Sequence, residues 1–187
     1  MRSGTRSLEG RTALVTGGGT IVGRAIALAL SARGVRIVVT GSDEKALGET
    51  VGEVVHGGGR ARHLAGDQAD PAHLAAAFER AKGVFGPPDI AVVAEASGAE
   101  TALKALAKHL GSPGRLIVAL AGGAGASSHV ALAREIALAV GDRAITCNAI
   151  VLDPTTEEDA AADAAELAVF LCTAAADRIT GQAIGIG

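Results

Sequence analysis

The segment that decides the fold is Arg11-Thr-Ala-Leu-Val-Thr-Gly-Gly-Gly-Thr-Ile-Val-Gly-Arg-Ala-Ile-Ala27. Its first part, Thr12–Thr16, is a short and mostly apolar run that predicts a buried strand. A cluster of glycines then ends the strand, and apolar residues recur with helical spacing, which predicts a helix over Val22–Arg33. A strand, a glycine-rich turn and a helix in this order form the first unit of a sheet whose parallel strands alternate with helices.

The same alternation continues to the end of the chain. Further strands are predicted at Arg36–Thr40, Ala61–Ala65, Ile90–Ala94, Arg115–Leu120, Ala144–Val151 and Ala183–Ile186. Further helices are predicted at Asp43–His56, Pro71–Val84, Ala99–Leu110, Ser127–Val140 and Glu157–Thr173. The sequence therefore predicts an α/β fold, a Rossmann-like doubly wound parallel sheet of about seven strands with helices on both faces. It is expected to form a single domain over residues 1–187, with residues 1–7 disordered.

Composition excludes several classes of protein. The 187 residues carry a formal net charge of -3 with the two signs dispersed, so nucleic acid is not an expected partner. No apolar run has the length of a membrane span and the first residues lack an apolar signal segment, so we expect a cytoplasmic protein with no membrane partner. Cys147 and Cys172 lie in apolar runs without metal-ligand spacing, which favours buried reduced thiols and no metal site.

Both ends of the chain resemble the short-chain dehydrogenase/reductase family, and in particular its 3-oxoacyl reductases. The resemblance begins in the opening strand, turn and helix, returns in the closing segment Glu166–Gln182, and runs from about Leu8 to the last residue. It implies a Rossmann fold, an NAD(P) cofactor and oxidoreductase chemistry.

The nucleotide loop of that family reads Thr-Gly-x-x-x-Gly-x-Gly, and this chain departs from it at one position. Gly17 and Gly23 match the first and third glycines, whereas Ile21 replaces the middle one. In the family this loop leads into a helix N-terminus that attracts the pyrophosphate, and the middle glycine allows close approach. Ile21 therefore predicts weak NAD(P) binding or none, although Gly18 and Gly19 leave the loop some freedom. The alternative interpretation is a tight turn that is kept only for packing.

Three further positions lie where strands are predicted to end. Ser42 stands where NADP-using members often have Arg, so any preference is for NADP over NAD. Asp67 matches the family aspartate near the adenine, or is an ordinary polar residue that ends a strand. Glu95 is a charged residue at the edge where ligands bind such sheets, or a solvated loop carboxylate. The candidate cofactor-binding residues are Gly17, Gly19, Ile21, Gly23, Ser42 and Asp67.

The catalytic residues that the resemblance implies are missing. The family's serine falls on Leu120 and Ala121, its tyrosine on Gly122 and its lysine on Ala126. The chain contains no tyrosine, and no lysine follows Lys108. The two asparagines that follow the fourth strand in the family are also replaced. We therefore assign no catalytic residue.

A substitute catalytic group could come only from the neighbouring Ser127, Ser128 and His129. Adjacent residues on a helix point in different directions, so a serine and the histidine cannot readily act as nucleophile and base. One of the two serines is predicted to cap the helix instead.

Three functions remain open. The chain is shortened between Ala96 and Gly114 and again after Asp153, where family members form the substrate pocket, while the sheet is kept. This pattern favours a non-catalytic subunit, a pseudoenzyme that stabilises an active dehydrogenase partner. The alternative is a divergent NAD(P)-dependent oxidoreductase resembling 3-oxoacyl reductases, and a further alternative is a stand-alone nucleotide-binding regulatory module.

The chain is expected to form a homo-oligomer, or a hetero-oligomer with an active short-chain dehydrogenase. The expected contacts are the helices Ser127–Val140 and Glu157–Thr173 with the final strand, because these elements commonly form subunit interfaces in the family. If Ala133 or Ala168 faces the partner, a charge introduced there is expected to split the assembly without unfolding the chain.

Overall fold

The computed structural model describes residues 8–122, 126–153 and 157–187, apart from the side chains of Ala126, Glu157 and Glu158. The predicted disorder of residues 1–7 lies outside these ranges. The strands are β1 (Thr12–Thr16), β2 (Arg36–Gly41), β3 (Ala61–Ala65), β4 (Ile90–Val93), β5 (Gly114–Ala121), β6 (Ile145–Leu152) and β7 (Ala183–Ile186). The helices are α1 (Ile21–Ala32), α2 (Glu44–His56), α3 (Pro71–Phe85), α4 (Ala99–His109), α5 (Ala126–Ala139) and α6 (Glu157–Cys172).

The seven strands form one parallel sheet in the order β3-β2-β1-β4-β5-β6-β7. Thr16 at the end of β1 pairs with Thr40 of β2 on one side and with Val93 of β4 on the other. The chain order reverses between β1 and β4, and ligands of such sheets bind outside the carboxyl ends of the strands at this switch point. The predicted doubly wound fold is confirmed.

Helices cover both faces of the sheet, and the core is built from Ala, Val, Leu and Ile. On one face α1, α2 and α6 pack over the sheet, and on the other α3, α4 and α5 do so. Ala164 and Ala168 of α6 are both 0% exposed, and α6 packs against α1 through its small residues. Such side chains let two helices approach closely. The alanine-rich stretch of α6 therefore serves the chain's own core.

Two expectations about the last helices are wrong. Ala133 is 1% exposed and Ala168 is 0% exposed, so a charge at either position would enter the core and not a subunit contact. α5 begins at Ala126, so Ser127 and Ser128 lie inside its first turn and do not precede the helix as caps. Every other predicted strand or helix begins and ends within one residue of the observed one.

Candidate functional site

The turn between β1 and α1 is closed by Thr20, the N-cap residue of α1. Its hydroxyl oxygen accepts a hydrogen bond from the N–H of Gly23 at 3.1 Å. The same hydroxyl lies 2.8 Å from the carbonyl oxygen of Gly17 and 3.1 Å from that of Ala94, and these acceptors share its one proton. Because Ala94 directly follows β4, Thr20 ties the turn to the neighbouring strand and fixes where α1 begins.

Two glycines of this turn are required by the packing of the backbone. Gly17 has a φ of 67°, and a Cβ at this position would lie 2.7 Å from the Cβ of Glu95. A Cβ on Gly23 would collide with the carbonyl oxygen of Gly17. Strand and helix are too close here for any side chain at either position. Gly17 and Gly23 therefore lie together as predicted, and the turn needs glycine at both positions whether or not a ligand binds.

Gly18 and Gly19 lie against the second strand and helix. A Cβ on Gly18 would collide with Val39 of β2, and a Cβ on Gly19 would lie 2.9 Å from the Cβ of Ala46 in α2. The carbonyl oxygen of Gly18 also accepts a hydrogen bond from the buried hydroxyl of Thr50 at 2.9 Å. Neither glycine therefore has room for a side chain, and Gly18 is also held by hydrogen bonds; the freedom of the loop to re-form around a ligand stays a prediction.

Ile21 is the first residue of α1, and 47% of its surface is exposed. In the part of the chain that the structure describes, no group accepts a hydrogen bond from the N–H of Ile21 or of Val22. These two donors and the positive end of the helix dipole form an environment that attracts anions. The structure thus places the bulky side chain that is predicted to hinder a diphosphate beside the groups that attract one.

Two carboxylates lie at the same edge of the sheet, after β3 and after β4. Asp67 is exposed, and its side chain accepts a hydrogen bond from the N–H of Ala69 at 2.8 Å, which fixes it in a local turn. Glu95 is half-buried. Burial raises the pKa of the Glu95 carboxyl, and the negative charge of Asp67 raises it further. The two acids therefore share one electrostatic environment beside the turn.

Gln68 holds the loop after β4, and the sequence analysis missed it. Its side chain is almost fully buried, and the amide nitrogen donates hydrogen bonds to the carbonyl oxygens of Glu95, at 3.0 Å, and of Ser97. Within the described ranges, the amide oxygen of Gln68 and the hydroxyl of Thr16 are buried without a hydrogen-bond partner. The replacement of the asparagines after β4 is the sequence signal for this role. A loop that lacks them needs another polar side chain to hydrogen-bond its carbonyl oxygens, and Gln68 provides it.

The end of β2 presents the exposed side chain of Ser42. Its neighbour Asp43 is the N-cap of α2 and accepts a hydrogen bond from the N–H of Ala46 at 3.0 Å. One oxygen of this carboxylate is therefore already used by the helix. Ser42 lies at the predicted edge of the sheet, and the preference for NADP stays a prediction.

The positions that correspond to the family's catalytic residues carry small or apolar side chains. Leu120 is buried in β5, Ala121 ends that strand, and Gly122 follows it. Ala126 begins α5, and its side chain lies outside the described residues. His129 lines a small apolar recess together with Leu120. A leucine, a glycine and two alanines cannot polarise or protonate a carbonyl oxygen.

The described residues offer no support for metal or thiol chemistry. No group of three or more His, Cys, Asp or Glu side chains among the described residues could hold a metal ion. Cys147 and Cys172 are free and buried, and burial raises the pKa of each thiol to about 12. Both are therefore unreactive thiols in the core, as predicted. Across the described ranges, no helix has the length and apolar character that crossing a membrane requires.

Known proteins resemble this chain over somewhat less than half of its length. The hydroxynaphthalene reductase-like protein Arp2 of Metarhizium robertsii is 41% identical over 88 residues, which are 46% of this chain and 33% of that protein. Cyclohexanol dehydrogenase of Acinetobacter sp. is 34% identical over 82 residues, which are 44% of this chain and 33% of that protein. The matched part thus spans about a third of the length of these relatives.

The whole fold resembles solved dehydrogenases. A short-chain dehydrogenase from Burkholderia cenocepacia, solved in complex with NADP, has a TM-score of 0.82 at 24% identity, covering 97% of this chain and 98% of that one. Hydroxysteroid dehydrogenase from Escherichia coli has a TM-score of 0.85 at 21% identity, covering 96% of both chains. The family model for short chain dehydrogenases matches residues 11–110, which is more than half of the sequence. The chain therefore belongs to the short-chain dehydrogenase family.

Proposed function

We propose that this chain is an oxidoreductase-like protein that binds NAD(P) weakly through the β1–α1 turn and does not itself carry out the family's proton transfer. The observation that carries the proposal is the start of α1. There the N–H groups of Ile21 and Val22 have no hydrogen-bond partner among the described residues. They lie at the switch point of the sheet and within the segment that matches the family. Two free donors on a helix N-terminus fit a phosphate group.

The fit to a dinucleotide is partial. The backbone of the turn is rigid, because Thr20 caps the helix and Gly17 and Gly23 allow strand and helix to pack closely. The exposed side chain of Ile21 crowds the same helix end. Ser42 offers a hydroxyl but no charge at the end of β2. We infer that binding is weak, and that NADP is favoured over NAD.

NAD(P), when bound, supplies the hydride chemistry of the family. The family's proton chemistry needs a tyrosine and a lysine on one helix, together with a serine that polarises the carbonyl. Here the sequence contains no tyrosine, and Leu120 and Ala121 stand at the serine positions. We therefore expect the purified chain to show no carbonyl reductase activity at ordinary enzyme rates with NADH or NADPH.

Calorimetric titration with NADPH and NADH tests the proposal. Ile21→Ala removes the bulk of the side chain without the backbone freedom of glycine, and it is expected to raise NADPH affinity by about tenfold, a change of about 1.4 kcal/mol. Ile21→Gly is expected to match it. Val55→Ala is the control, because Val55 is exposed to a similar extent (51%) but lies at the C-terminal end of α2, away from the start of α1. Absence of binding in all variants, or NADPH-dependent turnover with a panel of carbonyl substrates, would contradict the proposal.

A second candidate function is the scaffold subunit of a dehydrogenase assembly, and exposed apolar residues favour it. Leu138 of α5 is 87% exposed and Phe170 of α6 is 42% exposed. β7 pairs with β6, and within the described strands its other edge is unpaired. Exposed apolar side chains and an open strand edge are features of surfaces that bind other chains.

Sedimentation of the chain alone and with a co-expressed dehydrogenase tests this role. Leu138→Glu is expected to weaken any assembly, and a monomer that recovers no partner would contradict the role.

A further inference from the structure

The main chain of Glu95 is held beside the β1–α1 turn by two hydrogen bonds. Thr20 lies 3.1 Å from the carbonyl oxygen of Ala94, and Gln68 donates a hydrogen bond to the carbonyl oxygen of Glu95 at 3.0 Å. A Cβ on Gly17 would lie 2.7 Å from the Cβ of Glu95, so the side chain leaves the backbone directly beside the glycine turn. The main chain of Glu95, and with it the point where the side chain leaves the backbone, is therefore held beside the turn.

The surroundings of Glu95 provide no compensating cation. Asp67, which faces it from the loop after β3, is the one charged group in the described residues that acts on its carboxyl, and it has the same sign. Two cations of the neighbouring helices pair elsewhere. Arg24 of α1 pairs with Glu53 at 2.5 Å, and Lys104 of α4 pairs with Glu100 at 2.6 Å. A bound diphosphate would thus add negative charge beside an uncompensated carboxylate.

We propose that Glu95 determines which ligands this site accepts, by disfavouring those that carry a diphosphate. The proposal rests on the proposed nucleotide site and names the residue that sets its selectivity. An ionised carboxylate can accept hydrogen bonds from ribose hydroxyls, but it repels phosphate oxygens. A nucleoside without phosphate meets no such repulsion. The affinity for a diphosphate therefore falls as Glu95 ionises, whereas the affinity for a nucleoside does not.

Calorimetry with ADP-ribose and adenosine tests this selectivity. ADP-ribose carries the diphosphate, and it has no phosphate group that titrates between about pH 5 and about pH 8, whereas adenosine carries no phosphate. The informative variant is Glu95→Gln, which removes the charge and keeps the shape of the side chain. The matched control is Glu79→Gln, because Glu79 is an exposed glutamate far from the turn. It lies about 12 Å along α3 from Pro71, the first residue of that helix, which follows the Asp67 loop.

Glu95→Gln is expected to raise the affinity for ADP-ribose by about tenfold near pH 8 and by a smaller factor near pH 5, where a larger share of Glu95 is protonated. The gain is expected to shrink at roughly 0.5 M salt, because screening weakens repulsion between charges. Adenosine affinity and the Glu79→Gln control are expected to stay within about twofold of the natural protein.

Each other outcome overturns a defined part of the reasoning. If ADP-ribose binds the natural protein and Glu95→Gln equally well near pH 8, the inference about Glu95 is wrong and the proposed nucleotide site stands. If adenosine gains as much as ADP-ribose, Glu95 acts through packing, and the selectivity by charge is wrong. If ADP-ribose fails to bind even the double variant Ile21→Ala/Glu95→Gln, both the inference and the proposed function are wrong.

Discussion

Replacing Thr20 by valine tests whether one hydroxyl joins the nucleotide turn to β4. The substitution keeps the shape of the side chain and removes its hydrogen bonds. The lost contacts are the cap on the Gly23 N–H at 3.1 Å and the hydroxyl's donation to the carbonyl oxygens of Gly17 and Ala94, at 2.8 and 3.1 Å. Ala94 is 6% exposed, so its carbonyl oxygen is left with little access to water.

The expected cost follows from these contacts. Loss of an N-cap costs about 1 kcal/mol. Loss of the donor to a buried carbonyl costs about 1 kcal/mol more. The free energy of unfolding should therefore fall by about 2 kcal/mol, which lowers the urea midpoint by about 1 M for a slope of about 2 kcal/mol per M.

Urea unfolding followed by far-ultraviolet circular dichroism measures this change. Thr20→Ser is the matched control, because serine keeps the hydroxyl and is a good N-cap; it should cost about 0.5 kcal/mol. If Thr20→Val and Thr20→Ser have the same urea midpoint, the hydroxyl does not connect the turn to β4, and the fixed position of Glu95 loses one of its two supports.

Two further predictions concern charge in and near the core. Because the folded pKa of Glu95 lies above its usual 4.5, the protonated carboxyl stabilises the fold below that value, and this stabilisation is lost as the pH rises through the folded pKa. Glu95→Gln should therefore be more stable than the natural protein near pH 8 and not below about pH 4; an equal effect in urea titrations at both pH values would contradict this. Ala168→Asp should cost more than about 3 kcal/mol, because the side chain of Ala168 is 0% exposed and an aspartate there would have no partner; a soluble variant with an unchanged urea midpoint would contradict the packing of α6.

The fold could be predicted from the sequence because its signals are local. Each strand is an apolar run and each helix has its own spacing of apolar residues, so the elements were located to within one residue. The start of α5 also lies within one residue of its predicted position, and only the expected serine cap is wrong there. The expectation that a charge at Ala133 or Ala168 leaves the fold intact is wrong for a different reason. An alanine-rich helix has the same sequence pattern whether it packs inside its own chain or against another chain. Only the positions of α1 and the sheet in the folded protein show that these alanines are buried within the chain.

The glycines of the candidate site could be predicted from the sequence, but the hydrogen bonds that hold its loops could not. Gly17, Gly23 and Ile21 lie on a contiguous motif. Gln68, by contrast, lies 27 residues from Glu95 in the chain, and Thr20 lies 74 residues from Ala94. Contacts of that separation leave no periodic pattern in a sequence, and only the order of the strands brings the partners together.

The glycine turn by itself is weak evidence for a cofactor, because packing explains it. Glycine is needed at positions 17, 18 and 23 to avoid collisions with Glu95, Val39 and the turn's own backbone. Packing does not explain the side chains of Ile21 and Glu95 in the same way. Ile21 is exposed, and Glu95 is half-buried at the edge of the sheet. We therefore expect ligand preference to depend on these two positions. Both oppose a diphosphate, Ile21 by bulk and Glu95 by charge, and the two effects separate experimentally because only the second depends on pH and salt.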